Sequence, residues 1–512
     1  MSTRELVRQL RAAEAGRPIP RYSTKHLRVS SSPLIVSFIR MAGESRPWGI
    51  AYGRPGESPE ILAAGDGRNR EAVTAMLHPL AEVLLKYCRV EGWTDRPLTS
   101  EDSDLHHFPQ IWFPGSRHVE MLHFLEFAYS GVPRGADKSA LMPSFARLCG
   151  WLFRHSNHPG QQVVVDSAAA LRTAFVFPAD PVSISSLSPL VTWLTTDGDL
   201  QTRRAAAIAA RQDLTELSLD PKLDSKILEP LVAERQRLRQ AGQDFAEVDE
   251  QIRDRLGPHL ERRWRLTATA LDLFKTDARP ENPGTENLVA ESLNSLVKDL
   301  QYHERKVQED PEGAFTIHPE TDFDAASAAA AYLLLTASQQ RATLALLHHD
   351  KELLGEAIEN GTAVRSTIAG ISEGRHGSRR AVFWTVNATV GEQTRLREEE
   401  KYSIYGDSST EVVVAGIERV DSDTWIVKLR WSSSHIRRPI TGYLNAPCPD
   451  PLWVGREVVL VPRDNSGMAR DAAFRVRGAK AGIGAWLTHS KPPRRHLDDL
   501  PVSDIELRDG ES

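Results

Sequence analysis

Apolar residues follow three successive rhythms along this chain. From residue 21 to 64 they cluster in short runs of strand character, at 34–38 and 49–52, parted by Gly43-Glu44-Ser45-Arg46-Pro47, which predicts a β-meander. From 71 to 87 the spacing becomes helical, with Val73, Met76, Leu77, Leu80, Val83 and Leu84 at steps of three and four. A short strand is expected at 110–113, between Pro109 and Pro114, followed by a helix through Met121, Leu122, Leu125 and Phe127.

The helical rhythm then holds to about residue 360. Helices are expected at 141–153, 166–174, 183–194, 226–240 and 245–256, the last two forming a hairpin across Ala241-Gly242-Gln243. Gly257-Pro258 is expected to break or kink the second arm, because proline lacks a donor and clashes with the preceding turn. Leu260, Trp264 and Leu271 resume its stripe, 277–285 reads as a loop, and 325–358 reads as one or two helices.

After Gly361 the period shortens to two. Strands are expected at 362–371, 381–390, 402–405, 411–420, 424–431 and 454–461, with a turn at Asp421-Ser422-Asp423. In the fifth, Trp425, Val427, Leu429 and Trp431 alternate with Ile426, Lys428 and Arg430, so that one face is apolar and the other carries two cations. Gly416 inside a strand predicts a bulge. The fold class is therefore multidomain α+β. An α/β domain spans 1–135 and a predominantly helical domain 136–360, with its hairpin near 226–275. A small β-barrel of the OB or SH3-like kind spans 361–496, and an acidic tail 497–512.

Charge sharpens this division. The chain of 512 residues has a net charge of only -6, so bulk electrostatics does not draw it to nucleic acid. Residues 361–496, however, carry 21 Lys and Arg against 14 Asp and Glu, whereas 497–512 carry one Arg against six acids. The barrel is the basic part, and the tail is expected either to recruit basic surfaces or to mask the barrel. Cys88, Cys149 and Cys448 form no paired motif and so predict neither a disulfide framework nor a thiolate zinc site. Residues 1–11 read as a charged amphipathic helix and not as a secretory signal, and no apolar run is long enough for a bilayer. A cytoplasmic protein without a membrane partner is expected.

The β-β-β-α-β-α order of the first domain resembles that of ribonuclease-H-like domains. A two-metal nuclease would need carboxylates clustered on the first strand and its neighbours, and Leu34-Ile35-Val36-Ser37-Phe38 supplies none. A second candidate is the cluster Glu101, Asp102, Asp104, His106, His107, His118, Glu120 and His123. Its spacing lacks the His-Glu-x-x-His pair of a zincin helix, and His118 and His123 do not share a helix face. It reads as a solvated loop followed by a helix. His155 and His158 read as helix-terminal donors. Residues 370–378 hold glycines without Walker spacing and read as a hairpin loop, and Cys149, among Leu148, Trp151 and Leu152, reads as a core thiol.

No catalytic residue, metal or cofactor is expected. The leading expectation is a non-enzymatic, nucleic-acid-associated accessory or scaffold protein, with DNA or RNA on the barrel and a protein partner on the helical region. Its candidate contacts are Arg375, Arg379, Arg380, Arg395, Arg397, Lys428, Arg430, Arg437 and Arg438, with Phe383, Tyr402 or Tyr443 to stack bases. The alternatives are a metal-dependent hydrolase or nuclease using the Asp102 to His123 region, and a pure protein-docking subunit.

Overall fold

The strand Leu34–Arg40 (β2) is buried at every position as far as Ile39, so both of its faces must be covered. It sits at the centre of a five-stranded sheet. Pro47–Gly53 (β3) pairs antiparallel on one side, followed by Glu60–Ala63 (β4). Ile111–Phe113 (β5) and then Val164–Asp166 (β6) pair parallel on the other, giving the order β4-β3-β2-β5-β6. A two-stranded pairing of Ile19–Pro20 (β1) with Phe175–Val176 (β7) lies apart from this sheet. The structure, a computed structural model, describes residues 3–41, 45–89, 99, 103–130, 141–178, 186–212, 217–309, 325–377, 379–389, 395–421, 424–431 and 454–463.

Alternation along β5 assigns the two faces. Trp112 meets Phe274 of the long helix Ala246–Thr276 (α10), while Phe113, one residue on, stacks with Phe38 at 6.4 Å. Arg70–Tyr87 (α2), Ser116–Tyr129 (α3) and Leu141–Ser156 (α4) cover the face opposite α10. The β-β-β-α-β-α order is thus realised. One apolar core runs from Leu34 to Leu296, shared between the first 135 residues and the helices that follow. Each fully buried Val, Leu, Ile or Phe in it contributes roughly 1.5–3 kcal/mol.

The helical hairpin is present, as Glu229–Gln240 (α9) and α10 joined by Arg235 donating to Asp249. The expected break at Pro258 is not. Helix α10 runs through it, because Ile252, Leu256, Leu260, Trp264 and Leu271 continue one buried stripe on both sides. Pro258 lies on the exposed face, so the carbonyl left without an N–H partner faces water. The helix expected at 166–174 begins one residue later, and the residues before it, Val164–Asp166, form strand β6. Asp166 is in fact the N-cap of Ser167–Ala174 (α5), accepting from Ala169 N.

By contacts the chain divides into residues 1–317 with 342–463, and residues 318–341 with 464–512. The second unit supplies the first part of Ala325–Leu347 (α12); all other elements named here belong to the first. Lys351–Glu359 (α13) follows and leads into the barrel. The N-terminal helix Thr3–Glu14 (α1) docks on α13, where Arg4 pairs with Glu352 and Glu359, and the buried Arg8 with Glu352 and Glu356.

Six strands close the barrel: Val364–His376 (β8), Arg379–Thr389 (β9), Lys401–Ile404 (β10), Asp407–Arg419 (β11), Thr424–Trp431 (β12) and Glu457–Pro462 (β13). Around the barrel the order is β8-β9-β12-β11-β10-β13, with every neighbour antiparallel. Closure leaves no sheet edge along the paired lengths. The interior holds Val364, Ile368, Val386, Val412, Val414, Val427, Leu429, Val458 and Leu460, which is the apolar parity expected of β12.

Candidate nucleic-acid interface

Residues 370–376 are strand, not the loop that their glycines and charges imply. Strand β8 continues through His376 and β9 begins at Arg379; between them Gly377 has a φ of 60°, which suits glycine. The ladder runs Ile371 opposite Trp384, Glu373 opposite Val382, Arg375 opposite Arg380 and His376 opposite Arg379. Strand β12 stops pairing with β9 at Phe383, and β13 stops pairing with β8 at Thr367. Among the described residues, positions 373–376 and 379–382 therefore pair only with each other. They form a two-stranded ribbon beyond the barrel wall, whose end places Arg375, His376, Arg379 and Arg380 in adjacent registers. Strand β9 contains no acidic residue.

A second group lies on the wall itself. Lys428 is exposed, between Thr385 of β9 and Gly416 of β11, and Thr385 in turn faces Gly370 of β8. Both glycines sit at register shifts, so the bulge expected at Gly416 is present and Gly370 marks another. Neither makes room for other parts of the chain, since a Cβ at either would meet nothing within 4 Å. The row Gly370, Thr385, Lys428, Gly416 is thus low, open and carries one cation.

The remaining candidates separate. Arg395 and Arg397 are exposed in the segment before β10. Arg430 is half-buried and reaches Glu399 at 3.3 Å. Arg379 and Arg380 are placed by backbone register, whereas Arg437, Arg438 and Tyr443 lie outside the described residues. Tyr402 is no base-stacking platform: it is 2% exposed, inside the barrel core, with its hydroxyl donating to Glu400 at 3.3 Å. Burial and the Glu400 carboxylate push that hydroxyl's pKa upward. Phe383 opposes Arg430 on one side and Ser372 on the other.

The histidines of the first domain do not converge. Those before β5 serve the loop that crosses the strand ends: His106 Nδ1 accepts from Arg28 at 2.8 Å, and His107 Nδ1 lies 2.6 Å from Ser31 Oγ. His118, 1% exposed on α3, accepts the backbone N–H of Phe38 at 3.1 Å and so fastens that helix to β2. His123 stacks on Phe153. Glu120 pairs with Arg117, while Glu101 and Asp102 lie outside the described residues. Among the described residues no group of three or more His, Cys, Asp or Glu is placed to hold a metal ion. On the sheet, β2 and β5 carry no carboxylate, and Asp166 at the end of β6 is engaged as the cap of α5.

Cys88 and Cys149 are both buried, and burial pushes Cys88 up to about 12 and Cys149 well above its ordinary range, so neither is a thiolate at neutral pH. His155 is sandwiched between Trp151 and His158, and burial followed by the charge of His158 pushes it down to about 3. A cleft of about 550 Å³ opens along β6, lined by Lys25, His26, Gln161, Phe153, Asp166 and Arg279 among others. Three of its polar side chains are engaged within the fold. Gln161 caps the outer backbone of β6, accepting from Val163 N and Val164 N and donating to Val164 O; Arg279 is held by Asp277, and His26 by Asp350. No helix among the described residues is long and apolar enough to cross a membrane. No family model, curated protein or solved structure matches the chain.

Proposed function

We propose that this chain is a non-enzymatic accessory or scaffold protein whose C-terminal barrel contacts nucleic acid. The observation that carries the reading is the turn end of the β8–β9 hairpin, where three arginines and a histidine occupy adjacent registers with no acid among them. Like charges so close repel one another, and a polyanion relieves that repulsion while releasing its own counterions. Lys428 on the open row beside the ribbon, and Arg395 and Arg397 before β10, extend the positive surface.

The helical region faces a protein partner in this reading, with Tyr302 and Ile208 among the large apolar side chains it leaves exposed. The test is binding of the full chain to labelled DNA and RNA, single- and double-stranded, at low and moderate salt. Binding that weakens steeply between the two supports the proposal. Absence of binding at low salt removes nucleic acid from the account and leaves a protein-docking subunit.

A further inference from the structure

We infer that the β8–β9 ribbon is an arm that enters the major groove of duplex DNA, an inference that rests on the nucleic-acid reading and specifies its ligand. Three dimensions select this partner. The ribbon is two strands wide, which is what the major groove of B-DNA, about 12 Å across, admits. The length over which, among the described residues, its strands pair only with each other, residues 373–376 against 379–382, is about 13 Å at the rise of a strand, enough to cross a groove about 8.5 Å deep. The corresponding groove of A-form RNA is deep and too narrow for side chains to read.

Composition agrees with insertion. The ribbon narrows toward its end, where Gly374 opposes Ala381 immediately before Arg375 opposes Arg380. Bulky residues there would hold the backbone away from a groove wall. Arginine is the side chain that pairs bidentately with guanine O6 and N7, and it serves equally on the flanking phosphates. The open row at the base of the arm has no side chain larger than Thr385 except Lys428, so a phosphate strand can approach the wall closely once the arm is seated. Single strands present no groove for the ribbon to enter.

The experiment uses the full chain and a variant carrying Arg375→Ala, Arg379→Ala and Arg380→Ala, with the melting temperature of both measured so that a folding defect is told apart from a binding defect. Both are titrated with duplex DNA, single-stranded DNA of the same length and duplex RNA, and the duplex DNA titration is repeated with methyl green in the major groove or distamycin in the minor. The inference predicts at least tenfold preference for duplex DNA, at least tenfold loss in the variant, and competition by methyl green alone. Equal affinity for single strands, an unaffected variant, or competition by distamycin alone would overturn the arm while leaving a nucleic-acid-binding barrel. No salt-dependent binding to any of the three would overturn the underlying reading as well.

Discussion

Asp350 accepts hydrogen bonds from both the backbone N–H and the hydroxyl of Thr24, at 2.8 and 2.7 Å, across 326 residues of chain. The same fully buried carboxylate takes His26 Nε2 at 3.2 Å and the amides of Glu352 and Leu353, so it is also the N-cap of α13. One side chain thereby ties the start of the chain to the helix that precedes the barrel. Asp350→Ala strands five donors and should lower the stability of the protein by about 3–5 kcal/mol, whereas Ser23→Ala, at an exposed bond to Lys351 N, should cost under about 1 kcal/mol. Chemical denaturation of both variants checks this.

Acid should unfold the protein in two stages. Burial alone raises the Asp350 carboxyl, but the bonds from His26, Leu353 N and Thr24 outweigh it and hold the group well below its ordinary range. Its contribution is therefore present above the unfolded value near 3.8 and is lost as pH falls below it. His155 acts earlier. Held down to about 3 from 6.5, it stays neutral in the fold while the unfolded chain takes up a proton, so stability falls from pH 6.5 toward 3, by on the order of a few kcal/mol in all. His155→Phe, which keeps the stack on Trp151, should flatten the melting temperature between pH 6.5 and 4.5; an unchanged slope would exclude His155 as its cause.

A structural role for His118 predicts a further outcome. With its ring nitrogen accepting from Phe38 N inside the core, His118→Leu should destabilise the protein by about 1–3 kcal/mol through the orphaned amide. Chelators should leave the melting temperature of the wild-type protein within a degree. Stoichiometric zinc in the purified protein, lost with His118→Leu, would instead restore the hydrolase alternative.

The acidic tail gives a charge-based prediction. Residues 497–512 carry one Arg against six acids, and removing them should tighten nucleic-acid binding at low salt if they compete for the basic barrel. Unchanged affinity would show that they do not.

What the sequence displayed of this architecture was its repeating patterns. Period-two alternation found all six barrel strands, because Val427 and Leu429 point inward while Lys428 points out, and a closed barrel has only those two sides. The stripe of α10 was equally visible on both sides of Pro258, but a local rule about proline obscured it, and the helix survives because burial of Leu256 and Leu260 outweighs one lost hydrogen bond. Strand β6 escaped because three residues are too few to show a period. The ribbon escaped because residues 370–378 read as a hairpin loop; pairing with β9, whose acid-free run was visible, makes Gly370 and Gly374 strand and leaves Gly377 in the turn. The Thr24–Asp350 bond had no local signal at all, being a contact between distant segments. Of the candidate cations, alternation could place Lys428 outward, but it could not show that Arg375, Arg379 and Arg380 occupy adjacent registers at one end of a hairpin.

The central claim is tested most directly by the salt dependence of duplex DNA binding, wild type against the variant lacking Arg375, Arg379 and Arg380. Each phosphate contact contributes about 0.9 to the slope of log K against log salt. The slope should be shallower by about 1–3 in the variant, with affinity lost at every salt concentration. Identical slopes and affinities for the two proteins would contradict it, and would place the basic end of the hairpin outside any nucleic-acid interface.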